Sequence, residues 1–293
     1  SDWRIGTQSY PAGALLAIDT ERFLRGQRRF QLLFAPGEGR ALLSHAVVRD
    51  GVLLVQMDRV RQQLVEWRFA KGQWREQQRR GDGLGSLSVS PLAGQFSTQY
   101  LLTHSDFLQP ASLALAELGQ ARPERLQQLP AWFDASGLEV QQWQARSADG
   151  TQVPYFIVKP RGAAPAGGWP TLLYGYGGFG ISMRPGYNAV LGRAWLARGG
   201  VYVLANLRGG GEFGPRWHQA AMREHRQRSF DDFIAIAEDL QARGITSAKR
   251  LGIMGGSLGG LLTSVALVQR PELFGAVAAL AQEDLRHQAN HHA

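Results

Sequence analysis

The fold of this 293-residue chain is decided by six residues, Gly255-Gly256-Ser257-Leu258-Gly259-Gly260. They contain the pattern G-x-S-x-G with Ser257 at its centre. A short apolar run, 250–254, precedes the pattern, and a longer one, 261–268, follows it. A strand, a sharp turn and a helix in this order are typical of a nucleophile elbow, which exposes a reactive serine hydroxyl at the tip of the turn. The alternative interpretation is a glycine-rich turn with an unreactive serine.

From about residue 135, strand-like and helix-like segments alternate around this stretch. Short apolar segments predict strands at 138–144, 153–158, 171–174, 201–205 and 274–280. One helix is predicted over 187–198, and another from an N-cap at Ser229 to Gly244. Strands that alternate with helices predict an α/β fold with a mostly parallel sheet covered on both faces.

Residues 1 to about 134 have an all-β pattern instead. An Asp-Gly pair at 50–51 and a Lys-Gly pair at 71–72 separate apolar or alternating segments, which predicts two hairpins. Further short strands are predicted at 86–89, 100–103 and 112–115, and no convincing helix interrupts them. This pattern fits either a sandwich or the blades of a propeller, because no clean repeat period distinguishes the two.

The composition excludes several classes of protein. With 44% hydrophobic and 19% charged residues, the chain is an ordinary globular one, and its lack of cysteine excludes disulfides and thiol catalysis. No apolar run approaches the roughly 20 residues of a membrane span, and no leader is visible, so we expect a cytoplasmic protein. The net charge of +8 comes from dispersed arginines without a nucleic-acid-binding signature. Because the first residue is serine, we expect the chain to begin inside a longer protein.

Other motifs that suggest a cofactor or a metal are incomplete. The pattern G-x-G-x-x-G of dinucleotide-binding turns occurs twice, at 175–180 and 209–214. No acidic residue follows the first until Glu212, and the acids after the second open a helix instead of ending a strand. His287 and His291 have a helical metal-ligand spacing without a further ligand set. We therefore predict neither a cofactor nor a metal.

Seven blocks of the sequence resemble the prolyl oligopeptidase family of serine peptidases. In chain order they are SADGTQVPYF (147–156), LLYGYGGF (172–179), ANLRGGGEFG (205–214), WH (217–218), SFDDF (229–233), GGSLGGLL (255–262) and QRPELF (269–274). The resemblance is specific from about 133 to 280 and weak before about 98. It implies part of a β-propeller at 1–134 and an α/β-hydrolase catalytic domain, truncated after the nucleophile helix and one further strand, at 135–293.

The same resemblance implies the roles of four residues. Ser257 matches the nucleophile, the N–H of Leu258 matches one oxyanion donor, and the hydroxyl of Tyr176 matches the other. Phe179 matches an aromatic side chain that lines the pocket for the residue before the scissile bond. Packing of a strand-end loop is the alternative role for both aromatic residues. The chain departs from the family at Leu258 and Gly180, where asparagine is usual or frequent, but neither change removes the backbone donor.

The aspartate and histidine of the triad are expected to be absent. In α/β-hydrolases they follow the serine in the order Ser, Asp, His. The segment after 280 does not resemble the family, and it reads as a truncation or a change of reading frame. Its acid and base types, Glu283, Asp284, His287, His291 and His292, are interpreted as a frayed polar terminus. His218 and His225 precede the serine, and His218 is assigned a structural role.

The sequence therefore predicts a serine peptidase that hydrolyses short peptides by acyl transfer to Ser257, inactive when isolated. A non-catalytic fragment that needs a partner and an esterase on the same fold are the two alternatives. The choice between cleavage after proline and cleavage after basic residues is left open, as is the oligomeric state.

Overall fold

A computed structural model describes residues 2–37, 39–81 and 83–280. The chain divides into two compact units. The first contains the described residues of Ser1–Ala131, with Arg184–Tyr187 and Glu212–Arg216, and is called the β unit below. The second contains the described residues of the remainder and is called the α/β unit.

The first part of the chain forms twelve strands and one short α-helix. In chain order these are β1 (Trp3–Ile5), β2 (Gln8–Tyr10), β3 (Leu15–Ala17), α1 (Thr20–Leu24), β4 (Gln31–Phe34), β5 (Arg40–Val48), β6 (Gly51–Asp58), β7 (Arg61–Ala70), β8 (Gln73–Arg80), β9 (Ser86–Pro91), β10 (Gln99–Ser105), β11 (Ser112–Glu117) and β12 (Glu124–Gln128). Two four-stranded antiparallel sheets dominate, with the orders β5-β6-β7-β8 and β12-β11-β10-β9. This is the arrangement of propeller blades.

Helix α1 corrects the expectation that no helix interrupts these strands. Asp19 caps it by accepting a hydrogen bond from the Arg22 N–H at 3.0 Å. None of its five residues is buried. An exposed single-turn helix has no apolar periodicity, which is why the sequence pattern missed it.

The predicted hairpins are confirmed. Asp50, with φ 59°, lies in the turn between β5 and β6. Lys71 and Gly72, both with positive φ, form the turn between β7 and β8. Buried Glu66 on β7 accepts hydrogen bonds from the Tyr100 hydroxyl at 2.7 Å and the Gly119 N–H at 2.6 Å, and so joins the two sheets.

The second part of the chain forms six strands and four α-helices. These are β13 (Leu138–Arg146), β14 (Gln152–Pro160), β15 (Thr171–Tyr174), α2 (Ala189–Ala194), β16 (Val201–Ala205), α3 (Pro215–Gln219), α4 (Gln227–Ala242), β17 (Leu251–Gly256), α5 (Leu258–Gln269) and β18 (Ala276–Leu280). The sheet order is β13-β14-β16-β15-β17-β18. Pairs among β16, β15, β17 and β18 are parallel, whereas β14 pairs antiparallel with β13 and β16. The predicted α/β sheet is thus present with an antiparallel edge.

Two helix starts differ from the predicted ones. Helix α2 begins after Asn188, whose side chain accepts the Leu191 N–H at 2.9 Å, and it is shorter than predicted. Helix α4 begins at Gln227, so Ser229 is not its N-cap. Ser229 is buried in the first turn, and its hydroxyl contacts the carbonyls of neighbouring loops instead. A cap pattern in sequence does not distinguish these two uses of a serine hydroxyl.

The core of the α/β unit lies between the sheet and its helices. The apolar face predicted for α4 is confirmed, because Phe230, Phe233, Ile234 and Ala237 are all buried in it. Strand β18 begins at Ala276, two residues later than predicted, after a 3-10 turn at Pro271–Leu273. None of the described helices is long and apolar enough to cross a membrane.

Candidate active site

Ser257 occupies the turn between strand β17 and helix α5. Its backbone has φ 53° and ψ −118°, a conformation that side-chain-bearing residues rarely adopt. The Ser257 N–H donates to the Leu280 carbonyl at 2.9 Å, and its carbonyl accepts from the Gly260 N–H at 2.9 Å. The residue is exposed. The fold therefore fixes a strained serine on the surface, at the end of a central parallel strand.

The glycines on either side of Ser257 make this turn possible. A Cβ on Gly255 would lie 2.2 Å from the Gly259 carbonyl oxygen, so the strand end and the helix start touch through their backbones. A Cβ on Gly259 would lie 2.6 Å from the Gly175 carbonyl oxygen and 3.6 Å from the Tyr176 Cα. The second contact brings the loop after β15 against the start of α5.

The loop after β15, residues 175–180, carries the two aromatic candidates. Parallel pairing of Tyr174 with Met254 makes this loop and the elbow leave the same edge of the sheet. Tyr176 is half-buried, whereas Phe179 is 74% exposed and has φ 53°. A Cβ on Gly178 would lie 2.0 Å from Leu258 Cδ2, so the Leu258 side chain covers this loop. The backbones of Ser257, Leu258 and Tyr176 therefore lie close together.

The start of helix α5 presents unpaired N–H groups at the elbow. Leu258 is the first residue of the helix, so its N–H has no helical carbonyl one turn earlier to bond. The partial positive charge of a helix N-terminus favours an anion at this position. The elbow therefore has the chemistry to stabilise a negative oxygen next to Ser257.

Two side chains from the start of α4 hold the loop that carries Tyr176. The Gly177 carbonyl accepts a hydrogen bond from Arg226 Nη1 and lies 3.3 Å from Ser229 Oγ. Arg226 Nη1 also donates to Ser229 Oγ at 3.2 Å. We call Gly177, Arg226 and Ser229 the Gly177 clamp. Sequence reasoning missed it, because it placed Ser229 at the helix cap and gave Arg226 no role.

A buried ionic cluster lies on the other side of Ser229. Arg208 donates from Nε to both oxygens of Asp232 at 3.1 and 3.0 Å, and from Nη2 to Asp232 Oδ1 at 2.6 Å. Ser147 donates to Asp232 at 2.6 Å, and Arg208 Nη1 bonds Asp149 and Thr151. We call these five residues the Arg208 cluster. The hydrogen bond from Arg208 holds the pKa of Asp149 well below its usual range.

The cluster and the clamp are connected through Ser229. Its hydroxyl oxygen lies in hydrogen-bond contact with the Arg208 carbonyl as well as with the Gly177 carbonyl. In the sequence, Asp232 is one of the acids that open a helix, and its pattern predicts no further role. Its partners lie up to 85 positions away along the chain, and no local pattern indicates them.

The two histidines of the α/β unit that precede Ser257 are placed differently. His218 Nδ1 lies 2.7 Å from the Gly209 carbonyl oxygen, beside the loop at Gly180. His225 is exposed next to Glu224. Within residues 2–37, 39–81 and 83–280, neither histidine has a hydrogen bond to the Ser257 hydroxyl. Glu283, Asp284, His287, His291 and His292 lie outside the described residues.

Comparisons with known proteins agree with this architecture. Residues 190–282 match the model of the prolyl oligopeptidase family. The chain is 41% identical over 280 residues to an uncharacterized peptidase of Sinorhizobium fredii, which covers 94% of this chain and 38% of the relative. It is 36% identical over 190 residues to the prolyl endopeptidase of Elizabethkingia miricola, covering 64% of this chain and 27% of that protein.

A solved structure extends the similarity to the fold. A post-proline cleaving enzyme from Rickettsia typhi superposes with a TM-score of 0.86 at 34% identity, over 97% of this chain and 42% of that enzyme. The chain thus spans about two fifths of the length of such relatives. It combines propeller blades and an α/β-hydrolase sheet with a serine elbow, and it belongs to the prolyl oligopeptidase family.

Proposed function

We propose that Ser257 is the nucleophile of a serine peptidase that hydrolyses short peptides. The observation that carries this proposal is the backbone of Ser257, held at φ 53° between a parallel strand and a helix N-terminus. Such strain is retained where the surrounding structure enforces it, most often at functional sites. The turn leaves the hydroxyl accessible to a substrate.

The proposed reaction proceeds by acyl transfer. Ser257 Oγ attacks the carbonyl carbon of the scissile peptide bond, and its proton passes to a histidine base. The tetrahedral intermediate collapses as the C–N bond breaks, and the amine leaves with that proton. Water then attacks the carbonyl carbon of the acyl-serine ester and gives its proton to the histidine, and the C–Oγ bond breaks as that proton returns to Ser257 Oγ. Each step uses side chains, backbone groups and water, so the proposal includes no cofactor.

Three neighbouring residues contribute to the proposed site. The Leu258 N–H and the Tyr176 hydroxyl donate hydrogen bonds to the oxyanion, as a pair of such donors does in other acyl-transfer sites. Phe179, exposed on the same loop as Tyr176, lines the pocket for the residue before the scissile bond. The gathering of these backbones at one sheet edge supports the assignment.

The proposal also covers the organisation of the chain. Residues 1–134 belong to a propeller domain and residues 135–293 to the hydrolase domain. The histidine base and its carboxylate partner are needed in addition to the residues described above. We expect the 293-residue chain alone to lack turnover for this reason, and we expect a cytoplasmic location, which cell fractionation can test.

The relatives favour proline before the scissile bond. Two of them, at 36% and 34% identity, are named a prolyl endopeptidase and a post-proline cleaving enzyme. A trypanosomal oligopeptidase B is less similar, at 25% identity. We therefore propose cleavage after proline rather than after a basic residue.

The test compares the protein as its host produces it with the isolated 293-residue chain. Both are assayed on matched fluorogenic peptides with proline or arginine before the reporter, and on a simple aryl ester. We expect the host-produced protein to cleave the proline peptide, and Ser257→Ala to reduce the turnover number on the order of 10⁴-fold or more. The isolated chain should remain at background.

Other outcomes would replace the proposal. Turnover of the ester without turnover of either peptide would indicate an esterase. Peptide cleavage that survives Ser257→Ala would remove the nucleophile assignment. Faster cleavage of the arginine peptide would reverse the specificity.

A further inference from the structure

Arg226 is half-buried, and no carboxylate is among the partners of its guanidinium in the part of the chain that the structure describes. Its Nη1 group donates to the Gly177 carbonyl and to Ser229 Oγ, and its carbon lies 5.3 Å from the centre of the Phe230 ring. Its Nη2 group is buried and has no hydrogen-bond partner among the described residues. A partly buried cation without a carboxylate is costly, and an unsatisfied buried donor of this kind calls for a physical reason.

The surroundings of Arg226 point to the loop that carries Tyr176. A Cβ on Gly178 would lie 3.6 Å from Arg226 Nη1, and one on Gly209 would lie 3.1 Å from the same atom. The guanidinium therefore lies against the backbone at both glycines. Burial lowers the pKa of Arg226, and the electrostatic interaction with the Tyr176 hydroxyl acts in the opposite direction. Its hydrogen bond to the Gly177 carbonyl places the guanidinium against the residue that directly follows Tyr176.

We propose that Arg226 is a positioning residue, which fixes the Gly177 carbonyl and holds a positive charge behind Tyr176 so that its hydroxyl faces the oxyanion. The inference rests on the function proposed for Ser257. Arg226 acts on the reaction through Tyr176 and does not contact the reacting atoms. Because no carboxylate of the described residues neutralises it, its charge remains available to polarise the Tyr176 hydroxyl toward the oxyanion.

A double-mutant cycle tests this role in the host-produced protein. We expect Tyr176→Phe to reduce the turnover number about 10²- to 10³-fold, as loss of an oxyanion donor does. We expect Arg226→Met to reduce it on the order of 10²-fold, with KM changed by less than about threefold, because a misplaced donor weakens the transition state and not substrate binding. In the Tyr176→Phe background, Arg226→Met should reduce turnover by no more than about twofold.

Two further variants keep the result interpretable. Arg228→Met removes an exposed arginine from the same helix and should leave turnover unchanged. Arg226→Lys keeps the positive charge but lacks the planar guanidinium group. We expect its turnover number to lie between those of Arg226→Met and the unchanged protein. If a thermal melt shows that the Arg226→Met variant is not folded, the double-mutant cycle is repeated with Arg226→Lys.

The outcomes separate the two proposals. Multiplicative losses in the double mutant would show that Arg226 acts independently of Tyr176 and would overturn this inference. An unchanged turnover number in Arg226→Met would do the same. Failure of the proposed function itself would appear as turnover that survives Ser257→Ala.

Discussion

Two arginines of the α/β unit, the buried Arg208 and the half-buried Arg226, have different electrostatic surroundings. Arg208 has a side chain only 5% exposed, and it faces Asp232, which is fully buried, and Asp149. Arg226 bonds a backbone carbonyl and a serine hydroxyl, with no carboxylate among its partners in the described part of the chain. The two regions meet at Ser229, so the protein places a neutralised arginine and an uncompensated one side by side.

This difference in charge pairing indicates that the two regions stabilise different parts of the molecule. The Arg208 cluster ties a hairpin turn at Asp149, a strand-end loop and the start of α4 through a closed set of charges. Such a set stabilises a fold chiefly by making its disruption costly, since a partner left behind would be a buried, unpaired ion. The Gly177 clamp has no such set, and its contacts converge on one loop at the elbow. We infer that the cluster specifies the fold and the clamp adjusts the site.

The largest expected effect is loss of the Arg208 cluster. Replacing Arg208 with Met leaves Asp232 buried without its ion-pair partner, and we expect the free energy of unfolding to fall by about 3–5 kcal/mol. Urea denaturation followed by circular dichroism measures it. The matched control, Arg228→Met, removes an arginine that is 41% exposed and 4.0 Å from Asp149, and should change stability by less than about 0.5 kcal/mol. Equal effects of both variants would contradict a special role for the buried cluster.

The second prediction concerns the backbone contact between Gly259, at the start of α5, and the loop that carries Tyr176. Gly259→Ala would place a Cβ 2.6 Å from the Gly175 carbonyl oxygen, which forces the Tyr176 loop away from α5. We expect a loss of about 1–3 kcal/mol in the free energy of unfolding, because backbone rather than a flexible side chain must move. Gly256→Ala is the control, since the nearest atom to its Cβ would be Leu280 Cβ at 4.0 Å. A harmless Gly259→Ala would show that the loop can shift freely.

A smaller effect on stability is expected for Arg226→Met. No carboxylate is left unpaired, and the Gly177 carbonyl keeps its contact with Ser229. Removal of an uncompensated half-buried charge offsets the lost hydrogen bonds, so we expect a change within about 1 kcal/mol in urea denaturation. A loss as large as that of Arg208→Met would mean that the clamp supports the fold itself, and the comparison between the two arginines would fail.

The sequence predicted the parts of this architecture that depend on local patterns. The glycines around Ser257 and the apolar face of α4 are local, and both were predicted correctly. The roles of Ser229, Asp232 and Arg226 depend on partners far away in sequence, such as Gly177 for Arg226, 49 positions earlier. A serine that precedes an apolar helical face predicts a helix N-cap in either of two cases, whether its hydroxyl bonds its own helix or a neighbouring loop. The roles of Tyr176 and Phe179 remain predictions.

The smallest effect concerns the outer carboxylate of the Arg208 cluster. The hydrogen bond from Arg208 lowers the pKa of Asp149 in the folded protein, so the unfolded chain binds a proton first as the pH falls. Asp149 therefore adds stability that is complete above its ordinary pKa of about 4 and is lost as the pH falls below that value. Its side chain is 42% exposed, so solvent screening keeps this contribution small. We expect Asp149→Asn to lower the urea midpoint at pH 7 slightly and to flatten its decline below pH about 4. Asp231→Asn, which removes a carboxylate bonded to Gln227 and not to Arg208, is the control. An unchanged acid decline in Asp149→Asn would contradict this role of Asp149.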